Sequence, residues 1–301
     1  MSLSLSKRGR GCLLGLATGD AVGTTVEFSS RGTFPPVVDM VGGGPFRLEA
    51  GEWTDDTSMA LCLGTSLVEC QGFDPVDQLR RYVRWYREGY LSSNGRCFDI
   101  GNTVRGALHR FEETGDPNSG STDAWTAGNG SIMRLAPAVL YYHPDAAAVD
   151  EYAGSSSLTT HGAEEAVSAC RVLGGILDRL LSGATKTEAV LSVPPASWMS
   201  ERIREVAEGT YASKSVGEIK GSGYCVDSLE AALWCFLRTD DFESATLAAA
   251  NLGDDADTTA AVCGQLAGAH YGEDGIPDRW LSKLAMRADI ASLADRLVDH
   301  A

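Results

Sequence analysis

Two short acidic stretches carry most of the chemistry open to this sequence. The first, Trp53-Thr54-Asp55-Asp56-Thr57, runs straight into the apolar segment Met59-Ala60-Leu61-Cys62-Leu63. The second, Gly253-Asp254-Asp255-Ala256-Asp257-Thr258-Thr259, also opens onto an apolar helical run. A threonine or aspartate caps a helix N-terminus, and acids in the first turn offset its dipole. Capping therefore accounts for one or two residues of each stretch. The surplus sets Thr54, Asp55 and Asp56 against Asp255, Asp257 and Thr258. These carboxylates and hydroxyls, with no sulfur or imidazole among them, are the oxygen donors that hard divalent cations take. Four carboxylates a few ångströms apart cannot all stay ionised unaided, and two divalent ions would balance them. Such a pair, about 3.5–4 Å apart, orients and activates a substrate oxygen or a water. Asp55 and Asp255 stand 200 positions apart, and the sequence leaves open a shared cation site or two independent caps.

Other positions carry similar double readings. Glu27 follows Gly23-Thr24-Thr25-Val26, just past a helix carrying Asp20, and is either a general acid or base or an exposed acid at a turn. Asp99 and Asn102, in Phe98-Asp99-Ile100-Gly101-Asn102-Thr103, also read as an N-cap cluster for a helix beginning near Val104. The segment Gly128-Asn129-Gly130-Ser131-Ile132-Met133-Arg134 reads as a glycine-flanked helix start, whose free N–H groups can hold a phosphate or simply turn the chain. His161 precedes a long helix from about Ala163 and either contacts an anion or caps it. Tyr224, after Gly221-Ser222-Gly223, either stacks on a base or belongs to the core.

The elements that must position these residues are helical. Apolar stripes at three- and four-residue spacing run through Leu13–Ala21, Met59–Leu67, Val104–Phe111, Ala166–Leu180, Val226–Phe236, Ala256–Leu266 and Ile290–Leu297. The best strand signal, Val37-Val38, is hemmed in by Pro35-Pro36 and Gly42-Gly43-Gly44, so at most a small hairpin is expected there. With no long polar linker, the expectation is one all-α domain over residues 1–301, a compact multi-helix bundle. Glycine fills 34 of 301 positions, more than the average of about 7%. Because glycine destabilises helices, its repetition implies close backbone approach, to a ligand or at tight helix turns.

Composition narrows the function classes. Apolar residues make up 44% and charged residues 22% of the chain, as in ordinary globular proteins. The net charge of −16 repels nucleic-acid phosphates, so no nucleic-acid partner is expected. No run is apolar enough to span a membrane. Four of the eight cysteines, Cys62, Cys170, Cys235 and Cys263, sit within helix-periodic apolar runs, and no Cys-x-x-Cys pair occurs. They read as buried hydrophobes in a reduced, cytoplasmic protein rather than as bridges or zinc ligands.

Taken in order, these segments resemble the ADP-ribosylglycohydrolase family, which includes the hydrolase that reactivates ADP-ribosylated dinitrogenase reductase. The matching pieces are Gly15-Leu16-Ala17-Thr18-Gly19-Asp20-Ala21-Val22-Gly23 with Glu27, Trp53–Thr57, Phe98–Thr103, Gly128–Arg134, Thr160-His161, Gly221–Tyr224 and Asp255–Thr258, and the likeness spans about residues 8–298. The resemblance implies a compact all-α domain holding two magnesium or manganese ions, with an ADP-ribosylated protein or a small ADP-ribose conjugate as substrate. It implies that Thr54, Asp55, Asp56, Asp255, Asp257 and Thr258 are the metal ligands. Glu27 and Asp99 would act at the scissile bond, with Asn102 beside the distal ribose or leaving group. Gly128, Asn129, Gly130, Ser131, Met133, Arg134 and His161 would wrap the diphosphate and ribose, and Tyr224 would flank the adenine. The expected activity is release of ADP-ribose from arginine by a monomer. The other readings are a serine or O-acetyl linkage, or a non-enzymatic ADP-ribose-binding or crystallin-like member. One departure is that many members read Gly-Gly-Asp-Thr-Asp-Thr where this chain has Gly253-Asp254-Asp255-Ala256-Asp257-Thr258.

Overall fold

Glycine or alanine recurs at every fourth residue on two helices, and that spacing sets the architecture. In the computed structural model, which describes residues 3–191 and 193–300, the first of these helices is α1 (Leu5–Gly23). The elements that follow it are α2 (Asp55–Cys70), α3 (Pro75–Glu88), α4 (Asn102–Thr114), α5 (Ala136–Tyr142), α6 (Ala146–Leu158) and α7 (Glu164–Leu181). Next come α8 (Lys186–Val190), α9 (Glu201–Ala207), α10 (Cys225–Leu237), α11 (Phe242–Ala250), α12 (Ala256–Tyr271), α13 (Asp278–Leu281) and α14 (Arg287–Val298). Gly11, Gly15, Gly19 and Gly23 of α1 face Gly268, Gly264, Ala260 and Ala256 of α12, so the two helices run antiparallel in backbone contact. A Cβ placed on any of the four α1 glycines would fall well inside 3.0 Å of the α12 main chain.

This seam settles part of the glycine excess. These glycines are needed for close approach between two helices rather than to a ligand. Both helices are buried almost all round, α1 from Gly11 to Gly23 and α12 from Ala256 to Ala269, as befits the centre of a bundle. Helices α10, α11, α7 and α14 pack around the pair. A smaller apolar cluster, including Met59 of α2, Tyr82 and Trp85 of α3, Val104 and Leu108 of α4 and Met133, fixes α3 and α4 to one side.

The chain is all-α as expected, and the described residues form no sheet. The expected hairpin reduces to a single antiparallel bridge between Gly43 and Leu48. Val37 pairs instead with the amide of Asn251, which accepts from Val37 N at 2.8 Å and donates to Val37 O at 2.9 Å. All eight cysteines are free, six of them buried. None of the helices is long and apolar enough to cross a membrane, among the described residues.

The seam makes a direct prediction. Gly15→Ala is expected to lose about 1–3 kcal/mol by overpacking. Gly106→Ala, on the exposed face of α4 with open space around it, is expected to gain about 0.5–1 kcal/mol. Urea denaturation midpoints of the two variants measure both; equal effects would refute the seam as a packing constraint.

Candidate active site

The two acidic stretches meet. Because α1 and α12 are antiparallel, the last turn of α1 lies beside the first turn of α12, and the N-terminus of α2 joins them. The Thr54 hydroxyl lies 2.9 Å from Asp20 Oδ1, 3.0 Å from Asp56 Oδ2 and 3.3 Å from Asp257 Oδ2. One hydroxyl thus stands within hydrogen-bond reach of carboxylates from three helices, with a single proton to give. Oxygens of Asp20, Asp56 and Asp257 fall within 4.8 Å of one another, and so do those of Glu27, Asp99 and Asp257. Asp257 belongs to both groups and links them. Asp255 is tied in by Asn129 Nδ2, which donates to its Oδ2 at 3.1 Å.

Asp20 is the residue that the sequence reading passed over. Fully buried near the end of α1, it also accepts from Thr54 N at 2.9 Å, Thr57 N at 3.1 Å and Thr57 Oγ1 at 2.6 Å. It therefore caps α2 from a different helix, whereas Thr54 makes no capping bond with its own side chain. This releases Asp55 and Asp56 from the capping that their position suggests. The available signal was an aspartate inside an otherwise apolar, glycine-periodic helix.

The cluster carries more negative charge than the protein compensates. Burial, reinforced by the neighbouring carboxylates, holds Asp55, Asp56 and Asp257 well above the usual carboxylate range. Burial likewise raises Asp20 to about 6, Asp99 to about 7 and Glu27 to about 10, with Asp99 adding to the rise at Glu27. Asp56 Oδ1 and Glu27 Oε2 are buried and lack any hydrogen-bond partner. No lysine or arginine lines the cleft above. Orphaned carboxylate oxygens beside a threonine hydroxyl fit a hard divalent cation.

That cleft encloses about 340 Å³ and is lined by Glu27, Phe28, Asp55, Asp99, Asn102, Gly128, Asn129, Gly130, Met133, His161, Asp255, Asp257 and Thr258, among others. Thr54 and Asp56 are buried against this group without lining the cleft. Phe28, Asp99 and Asp254 adopt left-handed φ values of 60°, 60° and 57°, an unusual concentration for non-glycine residues. Reciprocal main-chain bonds, Phe28 N to Asp254 O at 2.7 Å and Asp254 N to Ser29 O at 2.8 Å, hold the Glu27 segment to the second acidic stretch. Asp254 itself is exposed, and Ala256 packs in the α1–α12 seam, so the two departures from the common motif lie outside the cleft lining.

Two expectations need correction. No helix starts at Ser131: residues 130–134 form turns, and α5 begins only at Ala136. The N–H groups of Gly130 and Ser131 make no hydrogen bond among the described residues, and Gly130 lines the cleft. Arg134 does not reach the cleft. It is 1% exposed, and its guanidinium donates to Gly130 O at 2.9 Å, Ser156 O at 3.2 Å and Thr160 Oγ1 at 2.7 Å while lying over the Tyr82 ring. Ser131 is buried too, its hydroxyl 2.9 Å from that of Ser157. Tyr224 lines an adjoining cleft of about 590 Å³ with Trp125 and Glu165, its hydroxyl donating to Glu165 at 2.6 Å.

The fold and the site together are those of a helical bundle whose central helix pair presents a candidate cation-binding cluster of carboxylates to a cleft. Residues 1–301 match the ADP-ribosylglycohydrolase family model, and the chain belongs to that family. It is 49% identical over 294 residues to the ADP-ribosylarginine hydrolase Tri1 of Pseudomonas putida, covering 98% of this chain and 78% of that protein. The Tri1 protein of Serratia proteamaculans is 47% identical, with 98% and 80% covered. A solved structure described as an ADP-ribosylglycohydrolase-related protein complex superimposes with a TM-score of 0.87 at 46% identity, covering 99% of both chains.

Removing Asp20 leaves the Thr54 and Thr57 donors without their acceptor. Asp20→Ala is expected to lose about 1–3 kcal/mol, measured by denaturant unfolding. The carboxylate cluster also sets a pH dependence for cation-free protein. With native pKa values raised to about 6 at Asp20 and about 7 at Asp99, the native state retains protons that the unfolded chain has released. Stability therefore falls as pH rises from about 4 to about 7. Melting temperatures in chelator should decline over that window, and added magnesium or manganese should flatten the slope. Identical slopes with and without cation would contradict a cation site.

Proposed function

We propose that this protein hydrolyses the N-glycosidic bond joining ADP-ribose to an arginine side chain, and that it does so with two divalent cations, magnesium or manganese. The observation that carries this reading is the sharing of Asp257 between the two acidic groups, one of which could hold a cation beside the acid pair Glu27 and Asp99. The arginine linkage is supported by the names of the two Tri1 relatives and by a cleft lining rich in carboxylates and, among the described residues, without lysine or arginine, which suits a guanidinium.

Thr54, Asp55, Asp56, Asp255, Asp257 and Thr258 are the residues that would hold the cations. Bound there, the cations would supply positive charge to polarise and orient ribose hydroxyls. Asp99 and Asn102 face the distal ribose and the leaving group, while the free N–H groups of Gly130 and Ser131 receive the diphosphate, with Gly128, Asn129 and Met133 shaping that wall. Tyr224 and its adjoining cleft take the adenine. In the reaction the anomeric carbon–nitrogen bond breaks, and the leaving guanidine nitrogen keeps the electron pair. Water oxygen bonds to the anomeric carbon, and its proton passes to a carboxylate of the Glu27–Asp99 pair. The surrounding carboxylates stabilise the oxocarbenium-like state between these events. The products are ADP-ribose and unmodified arginine.

The test is release of ADP-ribose from arginine-, serine- and O-acetyl-linked substrates, compared with magnesium and with manganese. Release from the arginine conjugate is expected. Asp99→Asn is expected to lower turnover by about 10²–10⁴-fold while ADP-ribose still binds. Inactivity on all three substrates with both metals would overturn the enzyme reading. Faster release from serine would reassign the linkage, and full activity of Asp99→Asn would remove that residue from the mechanism.

A further inference from the structure

Among the described residues one imidazole lines the cleft, that of His161, and a chain of hydrogen bonds fixes which of its nitrogens carries the proton. His161 is 2% exposed. Its main chain is clamped from both sides: His161 N donates to Ser157 O at 2.7 Å, and Ser157 Oγ donates to His161 O at 2.8 Å. Its Nδ1 lies 2.9 Å from Thr160 Oγ1. The Thr160 oxygen in turn accepts from Arg134 Nη2 at 2.7 Å.

A hydroxyl has one proton and two lone pairs. With the guanidinium, which is always a donor, occupying one lone pair of Thr160 Oγ1, the hydroxyl proton needs an acceptor. Thr160 is fully buried, and among the described residues the acceptor within reach is His161 Nδ1. Were Nδ1 the protonated nitrogen, Thr160 Oγ1 would receive two donors and its own proton would be buried without a partner, a cost of about 1–3 kcal/mol. The hydrogen-bond arithmetic therefore places the imidazole proton on Nε2.

We infer that Arg134 and Thr160 are positioning residues that hold His161 in its Nε2–H tautomer, so that it donates a hydrogen bond to an oxygen of ADP-ribose. Nε2 makes no hydrogen bond to the described residues, and the ring lines the cleft. Gly128 and Gly130 keep that edge open: a Cβ on Gly130 would come within 2.7 Å of His161 Cε1. Gly130, whose own N–H makes no hydrogen bond among the described residues, lines the cleft beside this ring. Burial, with the Arg134 charge behind it, also drives the imidazole pKa down to about 3, which leaves His161 neutral and gives its two nitrogens opposite roles.

The inference gives Arg134 a use that its burial otherwise obscures. Its guanidinium takes the Ser156 carbonyl in the last turn of α6, where the helix dipole favours positive charge, and passes directionality to the cleft through Thr160.

The identity of the ligand rests on the proposed function; the tautomer does not. Selective ¹⁵N labelling of the five histidines, with His161→Asn assigning the resonances, reads the tautomer in the free, intact protein. Nε2 is expected in the protonated range and Nδ1 in the unprotonated range. In Thr160→Val the two resonances should move toward a mixture, and the Kd for ADP-ribose with magnesium should weaken by ~5–10-fold. Thr160→Ser should restore both. A protonated Nδ1 in the wild-type protein would overturn the inference, as would a folded Thr160→Val with wild-type resonances and wild-type Kd. Should Thr160→Val fail to fold, the wild-type spectrum alone decides. Absence of ADP-ribose binding by the wild-type protein would refute the functional reading and the assigned ligand together, and the free-protein spectrum would still decide the relay.

Discussion

Backbone contact between α1 and α12 is the constraint from which the rest of the molecule follows. Two helices bearing ordinary side chains pack with their axes about 8–10 Å apart; a seam of glycine and alanine at four-residue spacing lets the main chains touch. The antiparallel arrangement then places Asp20, near the end of one helix, against Asp257, at the start of the other. A wider spacing would separate the carboxylates and leave each to be solvated or capped locally. Helix packing and site geometry are thus one feature in this protein.

The site gathers charge that the fold does not neutralise. A buried ionised carboxylate is unfavourable unless hydrogen bonds or a cation compensate it. Asp20 receives that compensation in full, since its two oxygens accept all four donors that Thr54 and Thr57 offer. Asp56 and Glu27 receive it only in part, each retaining a buried oxygen without a partner. The contrast separates a carboxylate that builds the site from those that await a ligand. The same division appears among the cations and donors: Arg134 is spent on the protein's own carbonyls and a threonine, whereas the N–H groups of Gly130 and Ser131 stay open.

Three of the seven left-handed non-glycine residues fall where these parts join. Phe28 and Asp99 at the cleft, and Asp254 just outside it, hold left-handed backbone conformations, and the Phe28–Asp254 main-chain pairing couples Glu27 to the second acidic stretch. Conformations of this kind persist only where surrounding contacts over-determine them. Here the fixed α1–α12 pair and the small cluster under α3 and α4 provide that support.

By itself the sequence determined the helical class, the stripes that became α1, α2, α4, α7, α10, α12 and α14, and the two acidic stretches with their donor chemistry, because all of these are local patterns of spacing and residue type. Helix α3 went unread: its buried Leu79, Tyr82 and Trp85 are interleaved with Arg80, Arg81 and Arg84, and the charge masks a narrow apolar face. The pairing of Val37 with Asn251 and the inward course of Arg134 toward Ser156 and Thr160 depended on partners far away in the chain, which no local pattern records. Only the tertiary structure decided that the acidic stretches meet and that Asp20 is their foundation. Whether distant carboxylates share one site is a matter of how closely two backbones can approach, and that distance is fixed by helix against helix rather than along the chain.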